Sequence, residues 1–322
     1  EIPLADDILQ LYNLLKIMVE GKKFPIVIIS GATATGKSEL AHKIAKKYQA
    51  SILNADSLQI FRELPILSAQ PSLQEQSEVE YLLYGIFDAK QKISVGIWLN
   101  LITNAIEKLY SKNILPIIVG GTGMYLSALI NGIADIPEIQ LEYKKQALDL
   151  YEKIGHQEFV KKFGNEKIID KQKLLRRAEI FLQEGRDIEY FHKLPNKIFF
   201  KDEVIKNSNF WHFNLNLERE INYKNCNNRF LQMLENKGVE EVRNYLNSPV
   251  FFEESSVNKT LGFQEIRDFI EKKIDEKTMI KIATQKTRNY AKRQITWFKH
   301  QFKNIIHCNN SQNMMQKIIT NI

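Results

Sequence analysis

The chain has 322 residues, 44% hydrophobic and 26% charged, which gives about two domains of roughly 150 residues with a sizeable core and excludes a disordered or fibrous chain. No apolar run approaches the roughly 18 residues of a membrane-spanning helix, and two cysteines, Cys226 and Cys308, exclude a disulfide framework or a four-cysteine zinc site and suit a reducing cytosol. The net charge of +7 lies wholly after Ala134, because residues 1–134 carry twelve basic and twelve acidic side chains.

Residues 1–24 read as an N-terminal extension. Their start is acidic and amphipathic, lacks the basic n-region of a secretory signal and has no initiator Met, so a trimmed or incomplete start of a soluble, cytoplasmic protein is expected. Phe24 to Ser30 is apolar, β-branched and closed by Gly31, which predicts a buried strand. Ser38 to Tyr48 has helical spacing, and Ser51 to Ala55 reads as a second strand ending at Asp56. Trp98 to Tyr110 reads as a helix, Ile114 to Val119 as a third strand closed by Gly120-Gly121, and Met124 to Ile130 as a helix. Strands alternating with helices imply an α/β fold, a P-loop-type parallel sheet flanked by helices, over residues 25–134.

After Asp135 the pattern becomes long, charged and mostly helical. Residues 135–195 are expected to be a helical insertion and 196–308, mostly helical, the rest of the core. Strand-like runs occur at Lys197–Phe200 and Phe210–Leu215. Helices are expected at Glu218–Lys237, Val239–Leu246, Asn258–Lys273 and Lys277–Lys303, with a last short strand at Asn304–Cys308. The polar tail, 309–322, is expected to be partly disordered.

From Lys277 to Ile322 there are nine Lys or Arg residues and no acid, with Tyr290, Trp297 and Phe298 interleaved. That segment fits a polyanion partner, or the solvated face of a helix whose other side is core. Ile280, Ile282, Ala283, Tyr290, Ala291, Ile295, Phe298 and Phe302 are expected to pack inward. Lys286, Arg288, Lys292, Arg293 and Lys299 then stand opposite without an acid to neutralise them, a face costly in self-repulsion unless a polyanion uses it. The histidines show no metal-ligand spacing.

The strongest local signal is GATATGKS, Gly31 to Ser38, which fits G-x-x-x-x-G-K-[ST] between a strand and a helix. Glycines let backbone N–H groups wrap phosphate oxygens, Lys37 adds positive charge, and the Ser38 hydroxyl can take Mg²⁺. The motif marks a phosphate site, common among ATP-binding proteins, and does not say whose phosphate. Asp56, at the end of a strand, faces the ligand crevice of an open parallel sheet. It reads as a Mg²⁺ ligand, a general base, or an N-cap for the following turn. Gly120-Gly121-Thr122-Gly123 also follows a strand, and either a close approach to ligand or a plain turn explains it.

Taken together, GATATGKS, Asp56-Ser-Leu-Gln-Ile-Phe-Arg62 and Gly120-Gly-Thr-Gly-Met-Tyr125 resemble the tRNA dimethylallyltransferases, also called tRNA isopentenyltransferases. The resemblance continues through Gln172-Lys-Leu-Leu-Arg176, Arg229-Phe-Leu-Gln-Met233 with Gly238-Val-Glu-Glu-Val242, Lys259-Thr-Leu-Gly-Phe-Gln264, and Thr287 to Phe298. It spans roughly Pro25 to Cys308 in order. Three positions depart from the family pattern: Tyr81 where His is usual, and Ser68 and Gln70 where Thr and a basic residue often stand.

The resemblance implies transfer of a dimethylallyl group from dimethylallyl diphosphate to N6 of the adenine just 3′ of the anticodon. It implies that Gly31, Thr33, Ala34, Thr35, Gly36, Lys37 and Ser38 grip the diphosphate with Arg229, and that Asp56 and Thr122 are catalytic, Asp56 as the base. Ser38 and Asp56 would hold Mg²⁺. Asp56, Ser57, Leu58, Gln59 and Thr122 would hold the adenine and its neighbours. Lys144, Gln172, Lys173, Leu174, Leu175, Arg176, Lys259, Thr260, Leu261, Gly262, Phe263 and Gln264 would contact the anticodon stem-loop. A monomer with no membrane partner is expected.

Without the resemblance, the residues alone leave a P-loop kinase of a small metabolite and a non-catalytic RNA-binding P-loop protein as readings. Within the family, an enzyme that prenylates free adenylate is a further one. ATP dependence or its absence separates the first, and transfer activity separates the second.

Overall fold

Ile26–Gly31, β-branched until its last two residues and buried throughout, forms strand β1. The structure, a computed structural model, describes residues 25–165, 168–201, 203–206, 210–302 and 304–321; the expected N-terminal extension lies outside them. With β2 (Ser51–Asn54), β3 (Tyr81–Leu82), β4 (Pro116–Gly120), β5 (Phe210–Leu215) and β6 (Ile306–Cys308), the described residues form a six-stranded sheet of order β3-β2-β4-β1-β5-β6. Every pairing is parallel.

Parallel neighbours need crossovers, and helices supply them. Helix α1 (Lys37–Tyr48) follows β1, short helices α2 (Pro65–Ser68) and α3 (Leu73–Glu78) follow β2, α4 (Val95–Ser111) precedes β4, and α5 (Gly123–Asn131) follows it. Leu40, Ala41 and Ile44 of α1 pack on Val27, Ile29, Ile117 and Phe213. Trp98 of α4 is fully buried, its Nε1 donating to the Asn54 carbonyl at 3.0 Å and its ring stacked 4.4 Å from Tyr125. Ser30 pairs with Gly120 and Asn54 with Val119, so the loops after β1, β2 and β4 leave the sheet side by side. That edge is where open α/β sheets bind ligands.

Residues 131–198 form a compact unit of their own. It contains α6 (Leu141–Phe163), kinked at Gly155 where φ is 77°, α7 (Lys171–Glu184) and α8 (Ile188–His192). Its core is Ala147, Phe159, Phe163, Leu174 and Ala178. Arg177 forks onto both carboxylate oxygens of Glu189, tying α7 to α8. In the larger unit α9 (Glu203–Lys206) precedes β5, and α10 (Arg219–Glu235), α11 (Gly238–Leu246), a 3₁₀ turn (Ser256–Lys259), α12 (Phe263–Ile270) and α13 (Glu276–Gln301) follow it. After β6 comes α14 (Ser311–Asn321).

The structure corrects several expectations. The tail expected to be partly disordered is helix α14, because Met314 and Ile318 bury themselves beside α1. Lys197–Phe200 is no strand; Lys197 makes a single bridge to Ile133. The helix expected over Asn258–Lys273 is broken at Gly262, whose φ is 90°. Ile282 is exposed, and the buried stripe of α13 runs through Met279, Ala283, Thr287, Ala291, Gln294 and Phe298. Lys286 is not without an acid, since it pairs with Glu265 of α12. Among the described residues no helix is long and apolar enough to cross a membrane.

Candidate active site

The loop between β1 and α1 turns tightly on itself. Gly36, with φ 88°, caps α1 in a conformation that an L side chain strains to adopt. Thr35 Oγ1 donates to the Ala32 carbonyl at 2.9 Å, and Lys37 Nζ donates to the same oxygen at 3.2 Å. Helix α10 fastens the loop from outside: Asn222 donates to the Thr33 carbonyl, Asn225 to the Ala34 carbonyl, and Arg229 to Thr33 Oγ1 at 3.2 Å. Lys37 is buried, and burial together with the neighbouring Arg229 charge pushes its ammonium down to about 8. Burial lowers Arg229 as well. Two cations held close together and away from water make a place for an anion.

The second element is the turn after β2. Asn54 Oδ1 accepts from Asp56 N at 2.7 Å, and Asp56 Oδ1 accepts from Leu58 N at 3.0 Å, so the carboxylate caps its own turn. The cap and a ligand-facing role coexist, because Oδ2 has no hydrogen-bond partner among the described residues. Thr122 locks this turn to the loop after β4: Oγ1 accepts from Ser57 N at 3.0 Å, and its own N–H donates to the Ala55 carbonyl at 3.2 Å.

One cavity of about 320 Å³ joins these elements. Thr33, Lys37, Ser38 and Arg229 line one part, with Asp56, Ser57, Leu58 and Gln59 also on its wall, and Lys259, Thr260 and Leu261 contribute from the 3₁₀ turn and the loop after it. Gly31, Ala34, Thr35 and Gly36 shape the loop and are not among the residues that line the cavity. Around Asp56 the phenols of Tyr84, Tyr125 and Tyr290 are all held above the ordinary tyrosine value by burial first, with the Asp56 charge adding to it.

Other expected residues stand elsewhere. Leu174 and Phe263 are fully buried, so their side chains hold α7 and α12 in place and do not face a ligand. Gly262 packs against Phe230, and a Cβ there would lie 2.6 Å from that ring. Gln264 is exposed on α12; Lys144, Gln172 and Lys173 are exposed on α6 and α7, where Leu175 and Arg176 are partly covered. The three departures each have partners. Tyr81 Oη lies 2.8 Å from His42 Nδ1, Ser68 Oγ donates to the Leu64 carbonyl at 2.6 Å, and Gln70 Nε2 donates to the Phe61 carbonyl at 2.6 Å.

Sequence reasoning did not assign Leu67, Phe230, Met233, Tyr290, Arg293 or Gln294 to the cavity wall, where all six stand. Glu241 was missed too: its carboxylate accepts from Ile66 N and Leu67 N and so fixes α2 against the cavity. Gln294 had left a signal, a polar residue in the apolar stripe of a helix.

Ser38 and Asp56 offer hard oxygen donors to one cavity, the donor type Mg²⁺ takes. Among the described residues no three His, Cys, Asp or Glu side chains gather as a metal site, so this pair fits a cation shared with phosphate oxygens and not a protein-only cage.

The IPP transferase family model matches residues 59–301. A tRNA dimethylallyltransferase of Pelagibacter ubique is 38% identical over 284 residues, covering 86% of this chain and 88% of that protein. One from Ehrlichia chaffeensis is 36% identical over 303 residues, covering 91% and 96%. The solved structure of a eukaryotic dimethylallyltransferase acting on tRNA superposes with a TM-score of 0.74 at 24% identity, covering 92% of this chain and 77% of that one, and so shares the fold. With the family model covering most of its length and such relatives matched nearly end to end, the chain belongs to the IPP transferase family.

Proposed function

We propose that this chain transfers a dimethylallyl group from dimethylallyl diphosphate to N6 of the adenine next to the anticodon, on its 3′ side, in tRNA. The observation that carries this reading is that buried Lys37, with Arg229, and the carboxylate of Asp56 line the same cavity. The relatives named tRNA dimethylallyltransferase support it.

In this reading the diphosphate lies on Thr33 to Ser38 and Arg229, and the adenine reaches Ser57, Leu58, Gln59 and Thr122. A base stacked in an anticodon loop cannot reach a cavity wall, so it is flipped out. Its N6 attacks C1 of the dimethylallyl group, the C1–O bond breaks, and diphosphate leaves with the bonding electrons. An exocyclic amine is a weak nucleophile, so Asp56 accepts the N6 proton as the N–C bond forms. Lys37, Arg229 and the loop amides stabilise the charge that gathers on the leaving oxygen. Ser38 and Asp56 would hold Mg²⁺, which when bound neutralises part of the diphosphate charge.

The exposed Lys144, Gln172, Lys173, Lys259 and Gln264, with Arg176, are the proposed contacts to the anticodon stem-loop, and a cytoplasmic monomer is the proposed working form. The test is release of diphosphate from dimethylallyl diphosphate on adding unmodified tRNA, with no ATP present. Strict ATP dependence with a phosphorylated small product would assign the site to a kinase instead.

A further inference from the structure

Gln294 lies on the cavity wall, yet the chemistry above leaves it unused. It is 6% exposed on the inward face of α13, where a helix packed on a core ordinarily carries an apolar residue. Its Oε1 accepts from Thr33 N at 2.8 Å, and its Nε2 donates to the Gly121 carbonyl at 2.9 Å. One side-chain amide thus joins the loop after β1 to the loop after β4. The fit is close: a Cβ on Gly121 would lie 2.2 Å from Gln294 Nε2. One turn further along α13, Trp297 presses on the same loop, and a Cβ on Gly123 would lie 2.1 Å from its ring.

What this joint connects gives it meaning. In one direction the path from Gln294 leads to Thr33, in the loop that carries Lys37 and Ser38. In the other it leads through Gly121 to Thr122, whose Oγ1 holds Ser57 N at 3.0 Å, beside Asp56. A primary amide offers an acceptor and a donor on separate atoms at the end of one flexible stem, and both are engaged here.

We propose that Gln294 is a positioning residue whose amide sets the separation between the phosphate loop and the Asp56–Thr122 turn. The inference rests on the function proposed above. Affinity for each reactant depends on the groups at its own end of the cavity, so binding survives when the two ends drift apart. The transfer step does not, because it needs C1 and N6 aligned, and a misplacement of about 1 Å costs about 10²-fold.

The test uses the full chain with Gln294→Met, which fills similar space without either hydrogen bond, and Gln294→Asn, whose amide is one methylene too short to reach both loops. Turnover, KM for donor and for tRNA, and melting temperature are measured for each. The expected result is a kcat lowered by about 10–100-fold while both KM values stay within about threefold. A folded Gln294→Met with kcat within about threefold of the parent, or with losses confined to KM, would overturn the inference. If the Met variant does not fold, Gln294→Asn is held to the same criterion. A parent chain without transfer activity overturns the proposed function, whereas an active parent with an unaffected variant overturns only the role of Gln294.

Discussion

The two ends of the cavity are built on opposite principles. At the phosphate end, backbone does most of the shaping: a loop around Gly36, fastened by Asn222, Asn225 and Arg229 of α10, surrounds a buried lysine. Burial holds both Lys37 and Arg229 below their ordinary values, and the Arg229 charge lowers Lys37 further while Asp56 opposes the shift in each. At the Asp56 end, side chains shape the site: Asn54, Thr122 and the carboxylate itself fix the turn, and three neutral phenols surround the charge. The difference shows which end is incomplete. The phosphate end gains most from a ligand that brings negative charge, while the Asp56 end is already satisfied in its turn and keeps one oxygen in reserve for a proton.

The largest expected effect tests that reserve. Asp56→Asn keeps the turn, because the amide oxygen still accepts from Leu58 N, but cannot take a proton. Transfer should fall by about 10²–10⁴-fold with tRNA affinity nearly unchanged. Near-normal transfer in the folded variant would reduce Asp56 to a cap and erase the contrast between the ends.

The phosphate end gives the next effect, through pH. Lys37 titrates at about 8 without an anion, and a bound diphosphate favours its protonated form. Binding is therefore linked to proton uptake above that pH and to none below it. Affinity for inorganic diphosphate should be flat with respect to Lys37 below about pH 8 and then weaken by up to about tenfold per unit. Lys37→Arg, which stays charged, separates this from the ionisation of diphosphate itself. Equal slopes in the two proteins would show that Lys37 carries its full charge regardless of the ligand.

The smallest effect belongs to the outer side of α13. Lys292, and Arg293 which also reaches the cavity wall, line an open groove with Asn289, Thr296, Trp297 and His300. If each cation neutralises one tRNA phosphate, Lys292→Gln or Arg293→Gln should lower the slope of log affinity against log salt by about 0.7–0.9. Diphosphate affinity should hold in Lys292→Gln. An unchanged slope would make this face merely solvated.

How much of this was legible in the sequence follows the same division. The phosphate loop is contiguous, and its residues announce a mechanism through their type and spacing, so Gly31 to Ser38 stood out together with the strand and helix around them. Most of the sheet was legible for a similar reason: a parallel sheet buried on both faces needs near-continuous apolar runs such as Ile26–Ile29, whereas the two-residue, half-buried β3 was too short to be read. The Asp56 end is assembled from residues far apart in the chain. Its motif could be read, but the lock from Thr122 to Ser57 and the strap from Gln294 depend on strand order, which local periodicity does not carry. Elsewhere burial overrode composition. The polar tail became α14 because Met314 and Ile318 found the core, and Lys286 found Glu265 on the preceding helix, α12.

The central claim is that both ends of one cavity serve a single prenyl transfer to tRNA. Mass spectrometry of the nucleosides from unmodified tRNA, after incubation with the protein, Mg²⁺ and dimethylallyl diphosphate, tests it most directly. The expected result is N6-dimethylallyl adenosine, located beside the anticodon by fragment mapping and formed without ATP. Unmodified adenosine from a folded, tRNA-binding protein would contradict it.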